Sequence, residues 1–254
     1  MHPVLIRILG FNIYSYGFFL FISFLIGIKL VETRAQRFGV SSETVNNLAL
    51  IVLGSVIVGA RLLYVVLHWD EFKNDLIGII AFWRGGLGGL MFFGGFILAL
   101  LSGIFYLRVK KLPLAKMLDA VTPAIVLGEG FTRIGCFLNG CCFGRPTNLP
   151  WGVEFPQHSP AGEVFCEKIH PTQLYSSLAG FILFGLALVL ERKKLKPGAL
   201  FGIILSLYAL FRFLIDFIRY YENLENFIVN QIIAGSLFII GIIYAIQVSK
   251  KTHS

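Results

Sequence analysis

The chain has 254 residues, of which 56% are hydrophobic, 15% aromatic and only 14% charged, and its mean hydropathy is +0.78. Ordinary globular domains carry about 25% charged residues, so disorder is excluded, as is a soluble core able to hide 25 Phe, and four Cys are too few for a small disulfide scaffold. The remaining class is an all-α polytopic integral membrane protein, here a single domain over residues 1–254. The net charge of +8 would raise nucleic acid as a partner of a soluble protein; the placement of the charges points elsewhere.

A spanning helix needs about 20 mostly apolar residues to cross a hydrocarbon core about 30 Å thick. In chain order this predicts seven spans, over residues 14–30, 44–67, 86–107, 118–138, 173–190, 199–218 and 227–248. Only Arg7 precedes the first apolar run and no small-residue cleavage site follows it, so no signal peptide is expected. The loops after the first, third, fifth and seventh spans hold 13 basic residues, among them Lys29, Arg34, Arg108, Lys111, Arg192 and Lys194, against the acids Glu32, Glu43 and Glu191. The alternate loops hold six basic residues and eight acids. The positive-inside rule then places the amino terminus outside and the carboxyl terminus in the cytoplasm. The basic excess is a topology signal, and no nucleic-acid partner is expected. The long non-spanning segment, residues 139–171, falls on the outer side.

Three basic residues stay inside apolar segments, Arg61, Arg133 and Arg212, with the acids Asp119, Glu129 and Asp216. A charge at mid-bilayer costs about 2.5–3.5 kcal/mol even on the lenient insertion scale, so such groups usually face a wet interior. The alternative is ion pairing between helices. Arg133 and Arg212 lie toward the outer ends of their spans, where guanidinium forks suit phosphate oxygens. Glu129 and Arg133 are four apart, as are Arg212 and Asp216, so each pair shares a helix face. This spacing fits a braced anion clamp and equally fits a resting salt-bridge network.

Gly85, Gly86, Gly88, Gly89, Gly94 and Gly95 follow Trp83 and Arg84, a density that permits close helix contact or irregular backbone lining a cavity. No Lys-Ser/Thr follows, so a nucleotide phosphate loop is not expected. Cys136, Cys141, Cys142 and Cys166 contain no C-x-x-C. Oxidation is open to them at the outer face, but even with His170 nearby their spacing is not that of a known structural zinc site, so no metal and no cofactor are expected.

The segments TRIGCFLNGCCFGRPT (132–147), PWGVEFP (150–156), HPTQLY (170–175) and FRFLIDFIR (211–219), with IYSYG (13–17), GARLLYV (59–65) and WRGGL (83–87), closely resemble the prolipoprotein diacylglyceryl transferase family, in the same order over almost the whole chain. The resemblance implies a multi-pass enzyme of the bacterial inner membrane. Such an enzyme moves a diacylglyceryl group from phosphatidylglycerol to the thiol of the lipobox cysteine in a preprolipoprotein signal peptide, forming a thioether and releasing glycerol phosphate. Its partners are then phosphatidylglycerol, signal peptides and the bilayer. Arg133 matches the family's phosphatidylglycerol-binding arginine and Arg212 its second essential arginine. Tyr16, Asn139 and Gly144 fall on motif positions, and His170 heads its block. Arg61 and Asp216 join the expected substrate-binding set.

The chain also departs from the family. Phe93 stands where the better-known form has a His proposed as base, Cys136 and Cys141 replace Asn and Glu, and Ser176 replaces a frequent acid. Glu129, Tyr16 or His170 could take the proton, or the thiol could ionise near the arginines. The alternatives in other classes are a membrane anion or lipid transporter and an inactive lipid-binding homologue.

Overall fold

The computed structural model describes residues 4–8, 11–73, 75–80 and 89–250. The chain is mostly helical, and its apolar surface is that of a membrane protein: Phe21, Leu178 and Ile232 are 61%, 60% and 62% exposed, an arrangement that hydrocarbon tolerates and water does not. It divides into two compact units, Met1–Val31 with Leu118–Ser254, and Glu32–Met117.

An antiparallel pair, β1 (Val4–Ile8) and β2 (Phe11–Tyr14), opens the chain, with Ile6 opposite Ile13 and Arg7 opposite Asn12. The expected all-α class is therefore mostly, not wholly, helical. α1 (Ser15–Ala35) follows directly. α2 (Ser42–Leu67) begins at Ser41, whose side chain accepts the Thr44 N–H. This is the usual capping of an orphan donor at a helix start. Two short helices, α3 (Trp69–Phe72) and α4 (Leu76–Ile80), precede α5 (Phe92–Val109) and α6 (Leu114–Asn139). α7 (Thr172–Glu191), α8 (Ala199–Ile215) and α9 (Leu224–Lys250) complete the order. Among the described residues, α1 with its 3-10 extension, α2, α6, α7 and α9 are long and apolar enough to cross a membrane, and α5 and α8 are shorter apolar helices. The stretch from Ala81 to Gly88, with Trp83, Arg84, Gly85, Gly86, Gly88 and the start of the expected third span, lies outside the described residues.

Lipid tails are as apolar as leucine, so helix association in a membrane depends on close packing at small residues more than on apolar burial. Within the first unit, a Cβ on Gly180 of α7 would come 2.8 Å from Gly130 N and Val126 O of α6, and Ser177 Oγ donates to Gly130 O at 2.8 Å. A Cβ on Gly241 of α9 would come 2.5 Å from Ser206 Oγ of α8. Val126, Leu183, Ala187, Leu200 and Ile204 interlock α6, α7 and α8. Within the second unit, α2 and α5 pack through Gly59, Gly94 and Gly95, and a Cβ on Gly95 would meet Val56 O at 2.8 Å.

The segment between α6 and α7 contains no helix. It forms its own small core of Phe143, Phe155, Ala161 and Ile169, against which Phe165 and Tyr220 pack. Tyr220 stacks on Phe143 with ring centroids 5.5 Å apart and an interplanar angle of 9°. This core holds the end of α6 and the start of α7 in fixed relation, which places the side chains described next.

Candidate active site

Successive residues four and seven apart share a face of α6, so Glu129, Arg133 and Cys136 form one stripe toward its carboxyl end. On α8 the same spacing aligns Tyr208 and Arg212, with Asp216 one turn beyond. The stripes meet: Glu129 Oε1 accepts Arg133 Nε–H at 2.7 Å and the Tyr208 hydroxyl at 3.3 Å. Arg133 and Glu129 are about one-sixth to one-fifth exposed (16% and 20%). The bond recorded for Arg133 uses Nε, which leaves the fork of terminal nitrogens for a ligand. The Tyr208 phenol is within electrostatic reach of both Arg133 and Arg212, and its hydroxyl bonds the carboxylate that braces Arg133.

Arg212 is braced by a triangle. Its Nη2 lies 3.0 Å from Asp216 Oδ1 and donates to Tyr221 Oη at 3.0 Å, while the Tyr221 hydroxyl donates to Asp216 Oδ1 at 2.7 Å. Burial and then the Asp216 hydrogen bond raise the Tyr221 phenol above its ordinary value, so it stays protonated and serves as donor. Asp216 is completely buried, and its Oδ2 has no partner among the described residues. A buried acceptor of this kind is costly unless something donates to it. The Arg219 guanidinium sits over the Tyr221 ring at 5.3 Å. Each of the first two arginines has a carboxylate, and Arg219 supplies the excess positive charge.

Gly144, His170 and Arg219 are tied through backbone. Gly144 N donates to His170 O at 3.0 Å, His170 N to Arg145 O at 3.0 Å, and Gly144 bridges to Arg219 in antiparallel fashion. A Cβ on Gly144 would lie 2.6 Å from His170 Cβ and 2.7 Å from His170 O, so this approach needs glycine. The His170 ring Nδ1 lies 3.4 Å from Tyr175 Oη, which receives the Trp151 indole N–H at 2.8 Å. Burial lowers His170 below its ordinary value, which leaves a neutral imidazole at pH 7.

Tyr16, at the start of α1, abuts α6: a Cβ on Gly135 would come 3.0 Å from Tyr16 Cα. The three cysteines after Arg133 converge. Their Sγ atoms all lie within 4.8 Å of one another, and Tyr16 is in electrostatic reach of all three and of Arg133. Asn139, the last residue of α6, is within electrostatic reach of the Cys141 side chain. Thus Glu129 and Arg133 are bonded on α6, Tyr208 joins α8 to them, and Tyr16 lies against the α6 turn that follows Arg133.

The other expected residues are placed differently. Asp119 caps α8, accepting Gly198 N at 2.6 Å and Phe201 N at 2.9 Å. Arg61, in the second unit, donates to the carbonyls of Ile79 (3.0 Å), Gly89 (3.0 Å) and Gly78 (2.6 Å) and lies over the Tyr64 and Phe72 rings. Among the described residues neither forms the interhelical ion pair weighed from sequence. Phe93 stands in the first turn of α5. Tyr208 and Tyr221 went unread in the sequence, although Tyr208 precedes Arg212 by the same four residues that separate Glu129 from Arg133. Below Tyr208, Ile125, Phe201 and Leu205 help line a narrow apolar cavity of about 80 Å³ between α6 and α8.

A family model described as prolipoprotein diacylglyceryl transferase matches residues 3–247. The chain is 34% identical over 244 residues to a phosphatidylglycerol–prolipoprotein diacylglyceryl transferase of Clostridium tetani, covering 95% of the chain and 96% of the relative. Similarly named relatives from Finegoldia magna and Clostridioides difficile are each 32% identical, covering 99% and 100% of the chain and 97% and 98% of the relatives.

Proposed function

The chain belongs to the prolipoprotein diacylglyceryl transferase family, and from that premise we propose how its residues perform the transfer. The enzyme moves the diacylglyceryl group of phosphatidylglycerol onto the thiol of a prolipoprotein cysteine, the first step of lipoprotein maturation. The thiolate sulfur attacks the glyceryl carbon, the C–S bond forms, the carbon–oxygen bond to phosphate breaks, and glycerol phosphate departs. Residues 1–254 are one transferase domain, which spans a bacterial inner membrane seven times with its amino terminus outside.

The two guanidiniums, each braced by a carboxylate four residues away, are the observation that carries this reading. A leaving phosphate gains negative charge as its ester bond breaks, and preorganised donors at that oxygen stabilise the transition state more than the ground state. Arg133 is the catalytic and phosphate-binding cation, held by Glu129 with its fork free. Arg212 is the second, fixed by Asp216 and Tyr221. The unpartnered Asp216 Oδ2 accepts a hydroxyl of the glycerol headgroup. Asn139 and Tyr16 flank the reacting centre. Gly144 and His170 hold the outer wall, with His170 acting through Tyr175. Glu129, already bonded to an arginine and a tyrosine, serves better as a brace than as a base. Arg61 donates to three backbone carbonyls of the second unit, and its remaining N–H donors are the ones through which it would bind substrate.

Purified protein incubated with phosphatidylglycerol and a lipobox peptide should yield diacylglyceryl peptide, with transfer by Arg133→Ala lowered by at least ~100-fold. No product from the unaltered protein, or full product from Arg133→Ala, would overturn the reading. Transport of a phosphate anion without transfer would favour the transporter alternative.

A further inference from the structure

The convergence of Cys136, Cys141 and Cys142 is not needed by the mechanism above, and the packing of small side chains does not account for it. Adjacent cysteines normally point apart. Here Gly140 (φ 76°) and Cys142 (φ 61°) both adopt the left-handed backbone, which folds the turn back onto Cys136. A non-glycine residue in that region is strained and persists only where its surroundings over-determine it. The surroundings do so: Cys141 N donates to Cys136 O at 3.1 Å, Gln173 Nε2 to Cys141 O at 2.7 Å, and Thr172 Oγ1 to Cys142 O at 2.9 Å. All three cysteines are free.

We propose that Cys136, Cys141 and Cys142 form a three-thiolate zinc site whose fourth position takes the thiol of the acceptor cysteine. The proposal rests on the transferase reading and deepens it. Sulfurs bound tetrahedrally at about 2.3 Å from zinc stand about 3.8 Å from each other, so thiols already within 4.8 Å need side-chain adjustment and no backbone movement. Among the described residues the cluster contains no His, Asp or Glu. Three protein ligands with one open position is the arrangement of catalytic zinc, whereas structural zinc is closed by four. The site also borders the reacting groups: Arg133 and Arg219 are in electrostatic reach of Cys142, and they offset the net negative charge of zinc with three thiolates.

The chemistry fits the reaction. A thiol that coordinates zinc loses its proton, so the acceptor cysteine binds as a thiolate and the proton passes to water. That sulfur attacks the glyceryl carbon, forming C–S as the carbon–oxygen bond breaks, and the bonding electrons leave with glycerol phosphate. The thioether product is a poor zinc ligand and departs. No dedicated base is required, in keeping with Phe93 where relatives of this chain are expected to carry a histidine.

Full-length protein in detergent, purified under reducing conditions without chelator, should carry about one zinc per chain. Replacing zinc with Co²⁺ should give thiolate-to-metal charge-transfer absorption that Cys141→Ser and Cys142→Ser abolish. A lipobox peptide should shift the cobalt d–d bands, and the same peptide with serine for cysteine should not. Chelation, or either substitution, should lower transfer at least ~10-fold, with zinc restoring the chelated enzyme. Absence of zinc and cobalt binding in protein whose thiols titrate as reduced overturns the site, as does a native disulfide among the three. A cobalt spectrum indifferent to the cysteine peptide overturns the open fourth position. Full transfer by metal-free enzyme sinks the zinc site and leaves the transferase standing, whereas metal binding without transfer sinks the transferase reading.

Discussion

Arg133 and Arg212 show how a cation is made useful in a membrane. Each is paired with a carboxylate four residues away at hydrogen-bond distance, which offsets the cost of burial while leaving part of the guanidinium for a ligand. Lysine keeps the charge but loses the planar fork, so Arg133→Lys should retain less than about 1% of kcat/KM, the loss typical of removing one preorganised donor; steady-state assays with phosphatidylglycerol vesicles measure this. The α6 partner was readable from i,i+4 spacing alone. Tyr208 and Tyr221 were not, because a tyrosine in an aromatic-rich helix carries no signal until a second helix brings a carboxylate to it. The convergence of the cysteines was not readable either: the linear spacing C-x4-C-C resembles no common metal motif, and the two left-handed residues of the turn accompany thiols that lie within 4.8 Å of one another.

His170 gives a pH dependence. Burial lowers its pKa in the folded protein, so the folded state prefers the neutral ring. Its contribution is fully present above the ordinary histidine value of about 6.5. It is lost as pH falls below that value, because the unfolded chain takes up the proton first. The Trp151 fluorescence of the full chain should therefore change in mild acid as the His170–Tyr175–Trp151 link loosens, and His170→Gln should lack that step.

Elements in this chain are held together by what side chains leave out. At the α2–α5 contact, Gly59 faces Gly94, and a Cβ on Gly59 would come 2.7 Å from Leu98 Cβ. Gly59→Ala should then destabilise by about 1–3 kcal/mol, the usual cost of overpacking. Gly54→Ala, on the same helix with nothing within 4 Å, should be neutral or slightly stabilising because alanine favours helix. Thermal unfolding of both variants in one detergent makes the comparison. Gly144→Ala belongs to the same class on the outer side, where backbone and Cβ of His170 cannot give way; lower thermal stability and impaired transfer are expected together. The apolar runs predicted these helices to within several residues, but the glycine-rich pattern could not distinguish a helix contact from a cavity wall. At Gly59, Gly94 and Gly95 it is a contact.

Orientation in the membrane is a property of the whole molecule. If the amino terminus is outside, Cys166, exposed in the segment between α6 and α7, should react with a membrane-impermeant maleimide in intact cells. In a chain also carrying Cys166→Ser, a cysteine introduced by Lys194→Cys, between α7 and α8, should add labelling only after permeabilisation. The reverse pattern would invert the orientation.

By itself the sequence determined the membrane class, the apolar segments, the charge asymmetry of the loops and the residues left over inside the membrane. Those properties are local or additive, and they follow from composition, helical period and the cost of burying charge. Only the tertiary structure decided what each leftover charge does. Asp119 caps a helix 79 residues away, Arg61 donates to three backbone carbonyls, and Tyr208 of α8 bonds the carboxylate that braces Arg133. The same holds for the three thiols, whose meeting depends on two backbone dihedrals and on hydrogen bonds from residues about 30 positions onward. Long-range partners and rare backbone conformations leave no period in a sequence, and both side-chain clusters, the braced arginines and the three thiols, are built from them.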